Sequence, residues 1–200
     1  DFFSWHSYDS VPSTGMFAAY ARHRLDAEGF TETETTCDEW NCNPTLRGTR
    51  MHAALCTAMF AELQHAPVDS AMFYDGRCGV SMFSSLFNPL TEAPFPAYYA
   101  FLAFNVLYRL GQEVAVYTEQ MGEAGQADAA LRVLAARGEK DGAARGAVLI
   151  CNPTGTSLPL ELSANGRLTS CSVLTEEGLA EIPLPAELES GAVLLAEYAL

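Results

Sequence analysis

The chain has 200 residues, enough for one large domain or two small ones with a substantial core. With 49% hydrophobic and 18% charged residues it reads as globular rather than disordered. A formal net charge of −14 argues against nucleic-acid binding and against attachment to anionic membrane surfaces.

Residues 1–8 (DFFSWHSY) are aromatic-rich and end in polar residues, which predicts a strand that enters a loop at its carboxyl end. The chain starts inside this strand and without an initiator methionine, so a piece of a longer protein is expected. Pro12 and Ser13 lead into a helix of about sixteen residues, with Phe17, Tyr20, Ala21 and Leu25 at helical spacing and Gly29 as its C′ residue. A polar turn over 31–34 precedes a short strand ending in Cys37, Asp38, Glu39, Trp40 and Asn41. A carboxylate, a bulky aromatic and an amide thus arrive together at a strand end, before the loop at Pro44.

A second helix is predicted over 49–65, where Met51, Ala54, Leu55, Ala58 and Met59 form an apolar stripe that belongs to the core. Pro67 stops it, and 68–74 reads as a strand. A loop containing Asp75, Arg77, Asn88 and Pro89 leads to a third helix over 96–110, closed by Gly111. Its Tyr98, Phe101, Leu102 and Tyr108 read as packing residues.

Strands and helices alternate through 1–111, a pattern that means parallel strands with crossover helices and an α/β fold class. Three such units fall short of a closed eight-stranded barrel, which takes about 250 residues, and the pattern alone fits an open parallel sheet equally well. Residues 112–126, with Gly122 and Gly125, read as a loop. Beyond it the period shortens. Strand candidates lie at 131–136, 147–152, 158–162, 170–174, 182–184 and 192–198, with 114–117 as a further one. Asp141-Gly142, Asn152-Pro153, Asn165-Gly166 and Glu177-Gly178 punctuate them as turns. A small antiparallel β-sandwich over 112–200 is expected.

Cysteines 37, 42, 56, 78, 151 and 171 form no C-x-x-C pair, so free thiols are expected, no metal site, and a reducing, cytoplasmic compartment. No apolar run approaches the ~20 residues that span a bilayer, and no signal-peptide pattern is present. There is no G-x-S-x-G elbow and no glycine-rich phosphate loop, so neither serine-hydrolase chemistry nor a nucleotide cofactor is expected. His23, His52 and His65 fall on helices and read as solvent-facing.

The segment from Gly29 through Glu39-Trp40-Asn41, with Thr33-Glu34 upstream, resembles the seventh strand of glycoside hydrolase family 39, the β-xylosidase-like retaining (β/α)₈ barrels. In that family a TE…EWN segment carries the catalytic nucleophile. Weaker similarity extends over Ser4 to Tyr8 and from Phe87-Asn88-Pro89 to Phe101. The resemblance implies a C-terminal part of a TIM barrel (1–111, strands six to eight with their helices) followed by a β-sandwich (112–200). It implies that Glu39 is the nucleophile, that His6 and Tyr8 end the sixth strand beside it, and that Trp40, Asn41, Tyr74 and Asp75 border the sugar. The implied substrate is a β-linked oligosaccharide or xyloside, with arabinosides and galactosides behind.

Retaining hydrolysis needs two carboxyl groups about 5–5.5 Å apart, one nucleophile and one acid then base. The family's acid/base lies in an Asn-Glu pair on the fourth strand, and no such strand occurs here. The chain alone is therefore expected to be inactive, and an open half-barrel is expected to self-associate through its exposed edges. Asp38 departs from the wider clan, where threonine or asparagine is usual; on a regular strand it points away from Glu39. A non-catalytic carbohydrate-binding scaffold and an unrelated open α/β domain are the alternative readings.

Overall fold

Three parallel strands organise the first half of the chain. In the computed structural model, which describes residues 1–118 and 131–200, β1 (Phe2–Ser7), β2 (Glu34–Trp40) and β3 (Ser70–Phe73) pair in that order. Helices α1 (Val11–Ala27) and α2 (Arg50–His65) make the crossovers, and α3 (Pro96–Leu110) follows β3. Ser10 caps α1 by accepting from the Ser13 amide, and Pro12 sits in the first turn, where its missing N–H costs nothing. Thr49 caps α2 through the His52 amide.

One face of this sheet meets the helices. Trp5 packs at a tilt on Phe17 of α1, the Ser7 hydroxyl meets Thr14 of α1 at 2.6 Å, and Trp40 packs on Phe60 of α2. The other face carries Phe2 at 69% exposure and Met72 at 55%, with no described element above it. A parallel sheet is ordinarily covered on both faces, so this one presents half of a packing arrangement.

The second half is antiparallel. Strands β4 (Gln112–Glu113), β5 (Arg132–Lys140), β6 (Ala143–Cys151), β8 (Arg167–Leu174), β9 (Leu179–Glu181) and β11 (Val193–Ala199) form a six-stranded sheet in the order β4-β5-β6-β11-β8-β9. A two-stranded ribbon of β7 (Leu158–Pro159) and β10 (Glu187–Leu188) completes the fold. Side chains alternate as a strand requires. Leu134, Leu149, Val193 and Leu195 join α2 and α3 in one continuous core, while Val148, Ile150 and Leu194 face the ribbon's Leu188 and the flanking Leu160 and Ile182. The β5–β6 hairpin turns at Asp141 and Gly142, with φ of 54° and 74°, the positive pair that a two-residue turn of matching twist demands.

Several expectations change. Helices α1 and α3 bury mostly small residues: α1 buries Val11, Thr14, Ala18 and Ala21, leaving Tyr20 59% exposed. Likewise α3 buries Ala97, Ala100, Ala103 and Leu107, while Leu102 and Tyr108 point outward. Close helix–helix and helix–sheet approach favours alanine at the contact. Residues 182–184 form no strand, since Pro183 and Pro185 supply no ladder donor; β9 and β10 lie on either side. At 114–117 there is no strand either, and pairing stops at β4, although the Val114 amide still donates to Ala135 at 2.9 Å. In place of two comparable sheets, a broad sheet carries a short ribbon. Part of the 112–126 loop, with Gly122 and Gly125, lies outside the described residues.

Candidate active site

The carboxyl ends of β1 and β2, with the residue after β3, bring Tyr8, Glu39 and Tyr74 together, at the end of a parallel sheet where ligands ordinarily bind. The Tyr8 hydroxyl donates to Glu39 Oε2 at 2.6 Å. Burial first, and then the hydrogen bond to Glu39, hold the Tyr8 phenol well above its ordinary range, so it stays a proton donor. His6 Nδ1 stands 3.4 Å from the same Oε2.

Pairing between β1 and β2 runs in register from Phe2↔Glu34 to Trp5↔Cys37 and then skips to His6↔Glu39, so Asp38 is the extra residue of a bulge. The expected opposition of Asp38 and Glu39 is thereby corrected. Asp38 Oδ1 lies 3.3 Å from His6 Nε2, and the imidazole is bracketed by both carboxylates. That Oδ1 is buried without a well-directed hydrogen bond. The bulge also restores the burial pattern, because Thr35, Cys37 and Trp40 all face the helices. Burial, helped by Asp38, pushes the Cys37 thiol up to about 12, so it stays a neutral core residue.

Trp40 presents almost no exposed surface beside Glu39. It is 3% exposed and packs edge-on against Phe60 and Phe73, with Phe101 stacked 6.3 Å away. Asn41 is buried too, and its amide works inside the protein. Its Nδ2 donates to the carbonyl of Tyr74 at 2.6 Å, that of Phe83 at 3.2 Å and Ser85 Oγ at 3.0 Å. Asp75 is 7% exposed, with Arg77 Nε donating to Oδ2 at 2.9 Å and Ser84 to Oδ1 at 3.2 Å. It holds the loop after β3 rather than presenting a free carboxylate beside Glu39. Tyr74 remains half-buried beside Tyr8, with ring centroids 6.4 Å apart.

Two contributors escaped the sequence reading. Phe83 packs at a tilt against Tyr8, ring centroids 4.7 Å apart, and arrives from an irregular loop with no periodicity to announce it. His52 is fully buried, contrary to expectation, and Asn41 Oδ1 lies 3.0 Å from its Nε2. A signal did exist, since α2 is apolar around most of its circumference and such a helix is enclosed on all sides. His23 is exposed, and His65 is paired with Glu113 on the surface. Among the described residues, no group of three or more His, Cys, Asp or Glu is placed to hold a metal ion, and no helix is long and apolar enough to cross a membrane. All six cysteines are free, and Cys78 alone is exposed.

No protein-family model matches the chain, and no curated protein matches it by sequence. Solved structures do match in fold. A glucosidase from Croceicoccus marinus superposes with a TM-score of 0.68 at 16% identity, over 100% of this chain and 54% of that one. A GH39 β-xylosidase from Caulobacter crescentus gives 0.63 at 15% identity, over 98% and 51%. A family 51 α-L-arabinofuranosidase from Bifidobacterium longum gives 0.62 at 16%, over 100% and 54%. The chain has a glycosidase-like α/β fold and spans about half the length of these structures.

Proposed function

We propose that the chain is the C-terminal half of a retaining (β/α)₈ glycoside hydrolase, in which 1–111 supply barrel strands six to eight and 112–200 a β-sandwich domain. The observation that carries this reading is the 2.6 Å hydrogen bond from Tyr8 to Glu39 at the carboxyl ends of parallel strands. Both close contacts to Glu39, from Tyr8 and His6, fall on Oε2, which leaves Oε1 to attack. The substrate class is a xyloside or a related pentoside. Xylosidase and arabinofuranosidase structures share the fold, which puts arabinosides beside xylosides as candidates.

In this mechanism Glu39 Oε1 bonds to the anomeric carbon as the glycosidic C–O bond breaks, and the leaving oxygen takes a proton from a second carboxyl group. Water, giving its proton to that same group, then displaces Glu39 and restores it. Tyr8 fixes the rotamer of Glu39 through its bond to Oε2, so that Oε1 is the oxygen presented to the anomeric carbon. The second carboxyl group belongs to the other half of the barrel, whose strands also cover the open sheet face with Phe2 and Met72. This chain alone is therefore predicted to be inactive on unactivated glycosides.

The test is the stereochemistry of turnover by the full-length protein. Proton NMR of the first-formed sugar from aryl β-xylosides and aryl α-L-arabinofuranosides should show retained anomeric configuration. Glu39→Ala should lose about a thousandfold or more in rate, and azide should restore activity while yielding the inverted glycosyl azide. Inversion by the unsubstituted protein, or full activity in Glu39→Ala, contradicts the reading; sugar binding without turnover favours a carbohydrate-binding scaffold.

A further inference from the structure

Glu39 is aimed by Tyr8, and Tyr8 is seated among aromatic rings whose backbone is held from below. Its ring touches Phe83 at 4.7 Å and meets Tyr74 edge-on at 6.4 Å, and those two rings lie 5.8 Å apart. Both residues belong to an irregular segment with few ladder bonds of its own. The anchor is Asn41, whose Nδ2 donates to the carbonyls of Tyr74 and Phe83 and to Ser85 Oγ. Ser85 itself donates to the Phe83 carbonyl at 2.7 Å, so its oxygen accepts from Asn41.

These partners fix the orientation of the Asn41 amide. With Nδ2 committed to acceptors, Oδ1 must accept, and the group 3.0 Å away is His52 Nε2. His52 therefore carries its proton on Nε2. Cys56 Sγ, one turn along α2, lies 3.9 Å from its Nδ1 and 4.0 Å from its Nε2. Neither His52 nor Asn41 reaches solvent, since both are fully buried.

We infer that His52 is a positioning residue for the candidate active site. Its Nε2–H orients Asn41, Asn41 clamps the Tyr74 and Phe83 carbonyls, and the rings so held direct the Tyr8 hydroxyl onto Glu39. The inference rests on the glycosidase reading for its consequence in catalysis, but its geometric content stands apart from that reading.

The experiment compares His52→Met, which fills the space without a donor, with His52→Gln, whose Nε2–H reaches the same oxygen. Leu63→Ala, a cavity elsewhere in α2, serves as the control for stability loss alone. In the full-length protein, hydrogen–deuterium exchange over 74–86 is read together with the rate at which a 2-fluoro xyloside with a dinitrophenolate leaving group labels Glu39. His52→Met should raise exchange in that segment and slow labelling about tenfold or more, with His52→Gln within about threefold of the unsubstituted protein on both. Leu63→Ala should lower the melting temperature without the selective slowing of labelling. Equal exchange and labelling in His52→Met and the unsubstituted protein overturns the inference, as does a Gln variant no better than Met. If the unsubstituted protein takes no label, the nucleophile assignment falls, and exchange over 74–86 alone decides whether His52 holds the loop.

Discussion

At the scale of single residues, one hydroxyl carries the proposed chemistry. Tyr8→Phe removes the 2.6 Å bond to Glu39 and keeps the ring contacts with Phe83 and Tyr74. The labelling rate of Glu39 should fall about tenfold to a hundredfold with little change in melting temperature, as stopped-time mass spectrometry can read. His52 makes a second prediction, for stability. Burial pushes its imidazole down to about 4 from an ordinary 6.5. Nearby Cys56, held protonated by its own burial, adds no charge to offset this. Above pH 6.5 the neutral ring contributes fully; as pH falls toward 4 the unfolded chain takes up a proton that the folded chain refuses. The stability lost by about pH 4.5 should amount to about 2–3 kcal/mol. Urea unfolding at that pH and at about pH 7.5 should show the advantage of the unsubstituted protein over His52→Gln shrinking by that amount. A constant difference would mean that the ring titrates normally.

At the scale of elements, what was legible was what is local. Alternating periodicities marked all three helices and three parallel strands, because each period is written within its own segment. The bulge at Asp38 was not legible, since it is a property of pairing between β1 and β2 and leaves no mark on β2 alone. Phe101 packs in the core as its place in the stripe implied, but Tyr20 of α1 and Leu102 and Tyr108 of α3 point outward for a physical reason: large side chains dominate a hydrophobicity pattern, yet alanines make the closest contacts. The burial of Trp40 likewise depended on which face of β2 met the helices. One close approach gives a test of the junction between α3 and β5. A Cβ on Gly138 would stand 2.0 Å from the Leu110 carbonyl oxygen. Gly138→Ala should therefore cost about 1–3 kcal/mol, seen as a lowered thermal midpoint, whereas an unchanged midpoint would place the α3 terminus elsewhere.

At the scale of the whole molecule, the fold is a parallel sheet covered on one face and packed, through α2 and α3, onto an antiparallel sheet. The continuous core shared by helices and both sheets makes this arrangement one packing unit. The uncovered face predicts behaviour. Expressed alone, the 200-residue chain should self-associate in sedimentation velocity, despite a net charge of −14, and Phe2→Glu with Met72→Glu should shift it toward monomer. A stable monomer would contradict the half-barrel account. The proposed function stands or falls with Glu39 as a glycosidase nucleophile, and covalent trapping probes that residue itself. In a 2-fluoro xyloside, or its arabinofuranoside counterpart, a strongly activated leaving group departs without acid assistance, so the label reports the nucleophile alone. Intact mass and peptide mapping of the full-length protein should place one sugar on Glu39. A label on another residue, or none with either sugar, would contradict the claim.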